Sequence, residues 1–285
     1  MERKVALVTG ASRGIGHAIA LALAEHGFDV AVAARTLHEG EGVARSSSFR
    51  EPKQVAVAGS VESTAAAVRT RGRDALALRL DLLDRASIDA AVAETLRAWH
   101  RIDLLVNNGI YQGPGVMDRF LDVPLEAVER IFQGNVFAQI HLLQQVLRQM
   151  LSQGGGTIVD ITSTSGYADP PGPVGRGGWG FAYGASKGAF HRVAGVLHAE
   201  HAGDGVRVFN VDPGYTPTDT MRALRGQGTD LDRAYGGAPP AVTAAVVAWL
   251  ATDPGAEEWR GKCVQAQRLC RDRALVPGWP PPRPS

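Results

Sequence analysis

A chain of 285 residues that is 45% hydrophobic and 21% charged has the make-up of an ordinary globular protein, long enough for one large domain. Its formal net charge of +1 gives no electrostatic basis for binding nucleic acid or an anionic membrane. Cys263 and Cys270 are the only cysteines and both fall late, so neither a metal framework nor a disulfide scaffold is expected.

The opening Met1-Glu2-Arg3-Lys4 leads straight into an apolar strand, without the apolar stretch of a secretory signal. No apolar run reaches the roughly 18 residues of a membrane span, so a cytoplasmic protein is expected. In chain order, strand-length apolar runs lie at 5–8, 29–33, 75–80, 104–107, 157–161, 206–211 and 262–266. Between them, amphipathic helices are expected at 14–26, 61–71, 85–100, 125–151, 182–201 and 240–251. Nearly continuous apolar strands imply a sheet buried on both faces, hence a parallel one. Their alternation with helices predicts an α/β fold: one doubly wound parallel sheet, a Rossmann fold of about seven strands with helices on both faces. There is no internal repeat, so 1–275 reads as a single domain and 276–285 as a proline-rich tail that can be neither helix nor central strand. Two further segments break the rhythm. Residues 38–59 are polar and serine-rich and read as a loop, and 169–180 (DPPGPVGRGGWG) reads as a Pro/Gly-rich insertion between two catalytic candidates.

The first strand runs into Thr9-Gly-Ala-Ser-Arg-Gly-Ile-Gly16. Gly10, Gly14 and Gly16 allow a pyrophosphate to approach the backbone of Ser12, Arg13 and Ile15, and the following helix offers its N-terminal N–H groups. Far downstream stands Tyr183-Gly-Ala-Ser-Lys187. On a helix, positions i and i+4 share a face, about 5–6 Å apart at Cβ. That places an ammonium beside a phenol, and a neighbouring positive charge lowers a phenol's pKa. Two arginines bear on the choice of dinucleotide. A ribose 2′-hydroxyl is usually held by an acid at the end of the second strand, whereas a 2′-phosphate needs cations. Here Ala34 fills that slot and Arg35 follows, while Arg13 can approach from the glycine loop. NADP(H) is therefore expected to be preferred, with NAD(H) possible.

T-G-x-x-x-G-x-G followed by Y-x-x-x-K resembles the short-chain dehydrogenase/reductase family over about residues 4–266. The resemblance implies an oxidoreductase of carbonyl and alcohol groups, and it carries further positions over one at a time. Ser163 and Gly166 match the family's S-x-x-G, which makes Ser163 the hydroxyl that orients the substrate oxygen. Asn135 matches a helix asparagine that holds a water linking the lysine to solvent. Asp81-Leu82 resembles the adenine-binding position, its alternative being a helix cap for the segment starting at Arg85. Asn108 and Gly109 follow the family's Asn-Asn-Ala-Gly turn after the fourth strand, but here Asn-Asn-Gly-Ile either substitutes Gly109 and Ile110 or lacks one residue. Pro213, Gly214 and Thr218 match the segment that contacts the nicotinamide carboxamide; Asp212, just before them, departs from the usual small polar residue.

The implied chemistry has Tyr183 exchange a proton with the substrate oxygen while nicotinamide exchanges a hydride with its carbon. Lys187 lowers the tyrosine pKa and binds the nicotinamide ribose. None of the eight histidines has a partner that would make it catalytic. Substrate walls are expected from 110–117, 167–181 and 215–235, around a small carbonyl or alcohol compound. Helices 125–151 and 182–201 resemble those through which the family forms homodimers and homotetramers. A 3-oxoacyl-thioester reductase and a non-catalytic dinucleotide-binding sensor are the alternatives.

Overall fold

The computed structural model describes residues 3–226 and 237–280. The elements of its first half are β1 (Lys4–Thr9), α1 (Gly14–Glu25), β2 (Phe28–Ala34), β3 (Val43–Arg45), β4 (Gln54–Ala56), α2 (Val61–Arg69), β5 (Ala75–Arg79), α3 (Arg85–Trp99) and β6 (Leu104–Asn107). Next come α4 (Leu125–Phe132), a π turn (Gln133–Phe137), α5 (Ala138–Ser152), β7 (Gly156–Ile161) and a 3₁₀ turn (Thr164–Gly166). Then follow α6 (Phe181–His201), β8 (Val206–Asp212), α7 (Asp219–Arg225), α8 (Pro240–Thr252), β9 (Cys263–Gln265) and α9 (Ala266–Asp272).

The seven-stranded sheet has the order β5-β2-β1-β6-β7-β8-β9. Every pairing in it is parallel, as the uninterrupted apolar runs of the strands require. One face packs Ile19 and Leu23 of α1 with Val242, Val246 and Leu250 of α8. The other packs Ile88 of α3, Leu142 and Val146 of α5, and Phe190 of α6. Chain direction away from β1 reverses between β1 and β6, and a ligand cleft belongs at that switch point, beyond the carboxyl ends of the strands. Among the described residues no helix is long and apolar enough to cross a membrane.

Four expectations are corrected. The segment expected as one helix over 125–151 is α4, the π turn and α5. A Cβ at Gly134 would lie 2.6 Å from that of Tyr111, and the Asn135 amide is bound to Tyr111, so side-chain packing on the next loop widens the helix here. The strand expected to end at 266 stops at Gln265, and α9 follows. Leu275, Val276 and Trp279 pack on the core, which places the first half of the proline-rich tail against the domain rather than free of it; residues 281–285 lie outside the described chain.

The fourth correction concerns 38–59, which holds the antiparallel pair β3–β4. Three-residue strands are too short for a readable alternation. What holds the hairpin is reach: its tip crosses the cleft to the loop after β6. There Asp118, 2% exposed, accepts from Ser48 Oγ at 2.5 Å and from the N–H groups of Phe49 and Gly115 at 2.9 Å each. Met117 N donates to Ser47 O at 2.8 Å, Arg50 pairs with Asp122, and Lys53 Nζ donates to Leu224 O at 2.9 Å at the end of α7. Asp118→Ala would strand two amide donors and a hydroxyl, at roughly 1–3 kcal/mol for each group that stays buried. The expected result is a Tm lowered by several degrees, with faster amide exchange confined to 43–56 and 115–118. Unchanged exchange in those segments would show that the latch carries no load.

Candidate active site

Glycines make the first rim of the cleft. Gly10 and Gly14 sit at φ +64° and +57°, in the left-handed region that side chains disfavour. A Cβ on Gly16 would lie 2.4 Å from both Gly10 O and Asn108 Nδ2. Asn108 staples this loop to β6: its Nδ2 donates to Thr9 O and Gly10 O at 2.9 and 3.2 Å, while its own N–H and that of Gly109 reach Thr9 Oγ1. Gly109 is where Gly10 comes closest; a Cβ on Gly10 would meet Gly109 Cα at 2.7 Å. The opposite rim is Pro213-Gly214, with Gly214 N held by Asp212 Oδ1 at 2.9 Å. Thr218 caps α7 and lies over the glycine loop, its Cγ2 3.3 Å from where a Gly14 Cβ would be.

A groove of about 760 Å³ continues from this cleft between Arg35, Thr36 and Asp81 on one side and Tyr111 and Arg130 on the other. Asp81 Oδ1 accepts from Leu83 N at 3.0 Å, and the cap of α3 falls to Asp84 instead. Leu82 is buried beside it. Ser12 is buried, and Ile15 packs against the core. Arg35 is exposed, with one long 3.4 Å contact to Val43 O. Arg13 is more committed: Nε donates to Ala58 O at 2.8 Å and Nη2 to Gly59 O at 2.6 Å. Burial, then the nearby Arg35, hold its pKa below the usual arginine value. Positive-φ glycines, helix N–H groups and a cation-bearing groove fit a dinucleotide with its pyrophosphate at the start of α1.

The chemical end of the cleft lies beyond β7. Ser163 caps the 3₁₀ turn, its Oγ accepting from Ser165 N at 3.3 Å. Gly166 lets this turn seat on α6, since a Cβ there would lie 2.8 Å from Lys187 O. Tyr183 projects from α6 into a small apolar cluster with Tyr111, Val116, Met117 and Ile131. Burial raises its pKa; hydroxyl contacts from Ser163 and Ser165 work against that, and Asp212 adds to it. Lys187 is not among the groups that lower it. Its Nζ donates to Ile161 O at 2.8 Å, because a buried ammonium must spend its protons on acceptors within reach. Burial holds Lys187 down at about 8, against the opposing pull of Asp160 and Asp212. Asn135 gives both ends of its amide to Tyr111, accepting from N at 2.7 Å and donating to O at 3.2 Å. It therefore fixes the loop after β6 with its side chain.

Four further residues lie near these groups: Tyr167, His191 and Asp160, to which no motif pointed, and Asp212, met above only as a departure from one. Asp212, 5% exposed, accepts from Thr164 Oγ1 at 2.6 Å and from Tyr167 OH at 2.5 Å. Burial, then the bond to Asp212, push the Tyr167 phenol up to about 12. His191 stacks against the Tyr167 ring at 5.1 Å and bonds Thr162, which gives it a packing role. Asp160 lies fully buried in β7, pushed up to about 7 by that burial against the pull of Asn107 and Lys187. Its signal was available: a lone carboxylate in Thr157-Ile-Val-Asp-Ile161 sits in a strand expected to be apolar on both faces. Of the expected substrate walls, 110–117 and 167–181 meet at the Tyr183 cluster, where Gly180 packs on Val116 O and Asp118 O. Residues 227–235 of the third wall lie outside the described chain.

A family profile described as short chain dehydrogenase matches residues 4–70 and 47–228. Cyclohexanol dehydrogenase of Rhodococcus sp. is 32% identical over 225 residues, spanning 79% of this chain and 78% of that protein. The 3-oxoacyl-(acyl-carrier-protein) reductase of Synechocystis sp. is 31% identical over 260 residues, or 90% of this chain and 92% of that one. Among solved structures, a short-chain type dehydrogenase/reductase from Mycobacterium marinum superposes with a TM-score of 0.73 at 28% identity, over 94% of this chain and 96% of the other.

Proposed function

The chain belongs to the short-chain dehydrogenase/reductase family, and on that premise we propose that it is an NADP(H)-dependent oxidoreductase of carbonyl and secondary-alcohol substrates with Tyr183 as general acid/base. The observation that carries this reading is the contact of the buried Tyr183 phenol with the Ser163 hydroxyl, one helical turn from buried Lys187.

Gly10 and Ser12–Gly16 receive the pyrophosphate, Asp81 and Leu82 the adenine, and Asn108 and Gly109 the adjacent ribose, while Pro213, Gly214 and Thr218 hold the carboxamide end. When bound, the nicotinamide supplies the hydride acceptor or donor. Ser163 orients the substrate oxygen, and Tyr183 gives that oxygen a proton in reduction or takes one in oxidation. Lys187, with donors left over beyond Ile161 O, binds the nicotinamide ribose and supplies the local positive charge. Asn135 holds the Tyr111 loop that closes over the phenol. Preference for the 2′-phosphate rests on the absence of a carboxylate at the tip of β2 and on exposed Arg35, since Arg13 is largely spent on the carbonyls of Ala58 and Gly59. Exposed Leu125, Phe137, Phe181 and Val196 on α4–α6 and the turn between α4 and α5 support a homodimer or homotetramer.

Absorbance of NADPH and NADH, followed over a panel of ketones, aldehydes and alcohols, tests the reading directly. Turnover is expected with at least tenfold higher kcat/KM for NADPH. Comparable values with NADH would overturn the preference, and NADPH binding without any turnover would favour the sensor. The breadth of the match to the Synechocystis enzyme supports one second reading, reduction of a 3-oxoacyl thioester, so the panel includes an acetoacetyl thioester.

A further inference from the structure

The floor of the pocket is more polar than the reaction requires. Asn107, Asp160 and Asn210 occupy one row across β6, β7 and β8, paired in register. Asn107 Nδ2 donates to Asp160 Oδ1 at 2.8 Å, and Asn210 Nδ2 donates to His191 O at 2.8 Å. Among the described residues, Asp160 Oδ2, Asn107 Oδ1, Asn210 Oδ1 and Gln139 Oε1 are buried oxygens left without a donor. A lining of acceptors is a poor place for a neutral side chain and a favourable one for a cation. Lys187, buried and bonded to the carbonyl of the residue after Asp160, is the cation that bears on it.

We propose that Asp160 is a positioning residue for Lys187: its buried carboxylate, when ionised, is the counter-charge that favours the Lys187 ammonium, with Nζ drawn to the floor of the site. The inference rests on the roles given above to Tyr183 and Lys187. The titratable and charged groups around Lys187 are Asp160 from β7, Asp212 from the end of β8, and Tyr183 from its own helix. The π turn and α5 contribute Asn135 and Gln139, neither of which titrates; His191 is engaged with Thr162 and Tyr167, and Arg192 is exposed. Asp212 is already held by Thr164, Tyr167 and Gly214 N, so Asp160 is the carboxylate with an oxygen to spare.

Asp160→Asn keeps the size and the bond from Asn107 while removing the charge. Lys187 then gives up its proton at lower pH. The alkaline limb of kcat/KM for carbonyl reduction, which needs both ammonium and phenol, is expected to move down by about one pH unit, a roughly tenfold loss near that limb. NADPH affinity, read by fluorescence without turnover, should weaken from the same lower pH. A structural role alone would lower Tm and scale the whole profile without moving it. Superimposable profiles from folded variant and wild type overturn the proposal. Should the variant fail to fold, carboxyl ¹³C resonances keep the question open to test. The wild type should show a buried aspartate titrating near neutrality whose midpoint rises in Lys187→Met, and a midpoint that stays put sinks the idea. Full activity of Tyr183→Phe would instead remove the reading beneath it, leaving the Asp160–Lys187 coupling measurable by the same resonances.

Discussion

Tyr183→Phe is expected to lower kcat by about 10²–10⁴-fold, the usual worth of a positioned general acid/base. The substitution removes one oxygen and keeps the ring that packs with Tyr111, Val116 and Ile131, so Tm should stay within a few degrees. NADPH affinity should change little, because the phenol's partners in the protein are Ser163 and Ser165. A loss confined to kcat is the signature of an interaction made in the transition state rather than in binding. Near wild-type kcat on any productive substrate would pass the proton to another group and end the assignment. Burial holds the phenol above its ordinary value, and one Lys187 donor is already given to Ile161 O.

Gly16→Ala should give the second large effect, on binding. The added Cβ would lie 2.4 Å from Gly10 O, a main-chain atom that cannot swing aside, and 2.4 Å from Asn108 Nδ2, whose bonds to Thr9 O and Gly10 O join the two strand ends. Overpacking of this kind costs about 1–3 kcal/mol, and 1.4 kcal/mol is a factor of about ten in an equilibrium constant. NADPH affinity measured by calorimetry is therefore expected to fall at least tenfold, with some loss of Tm as α1 is pushed off Gly10. Wild-type affinity would mean that the glycine loop does not shape the pyrophosphate site.

The sheet was legible in the sequence because its strands are nearly pure apolar runs, a pattern that burial on both faces demands. The glycine turn ahead of α1 and the shared helix of Tyr183 and Lys187 were legible because their spacings follow from local geometry, whereas Ser163 was reached only through the family resemblance. Spacing proved a weaker guide to direction. It put Lys187 on the face of Tyr183, yet the Nζ of this long side chain follows the nearest buried acceptor. Arg13 likewise spends its guanidinium on the carbonyls of Ala58 and Gly59, between β4 and α2. Contacts between residues far apart in the chain stayed hidden. Asp118 meets Ser48, Asp212 meets Tyr167, and Asn135 turns a continuous helical pattern into a π turn by binding Tyr111.

The hairpin has a mechanical meaning as well. One half of its tip, through Ser47 to Arg50, grips the loop after β6; the other, through Lys53, grips the end of α7. Residues 51–52 between these grips are exposed, so a protease can cut there without severing a strand of the main sheet. Such a nick would leave each half still fastened to its own rim. What it would remove is the tether between them, since the intact hairpin ties the loop after β6 to the end of α7 through one short stretch of chain.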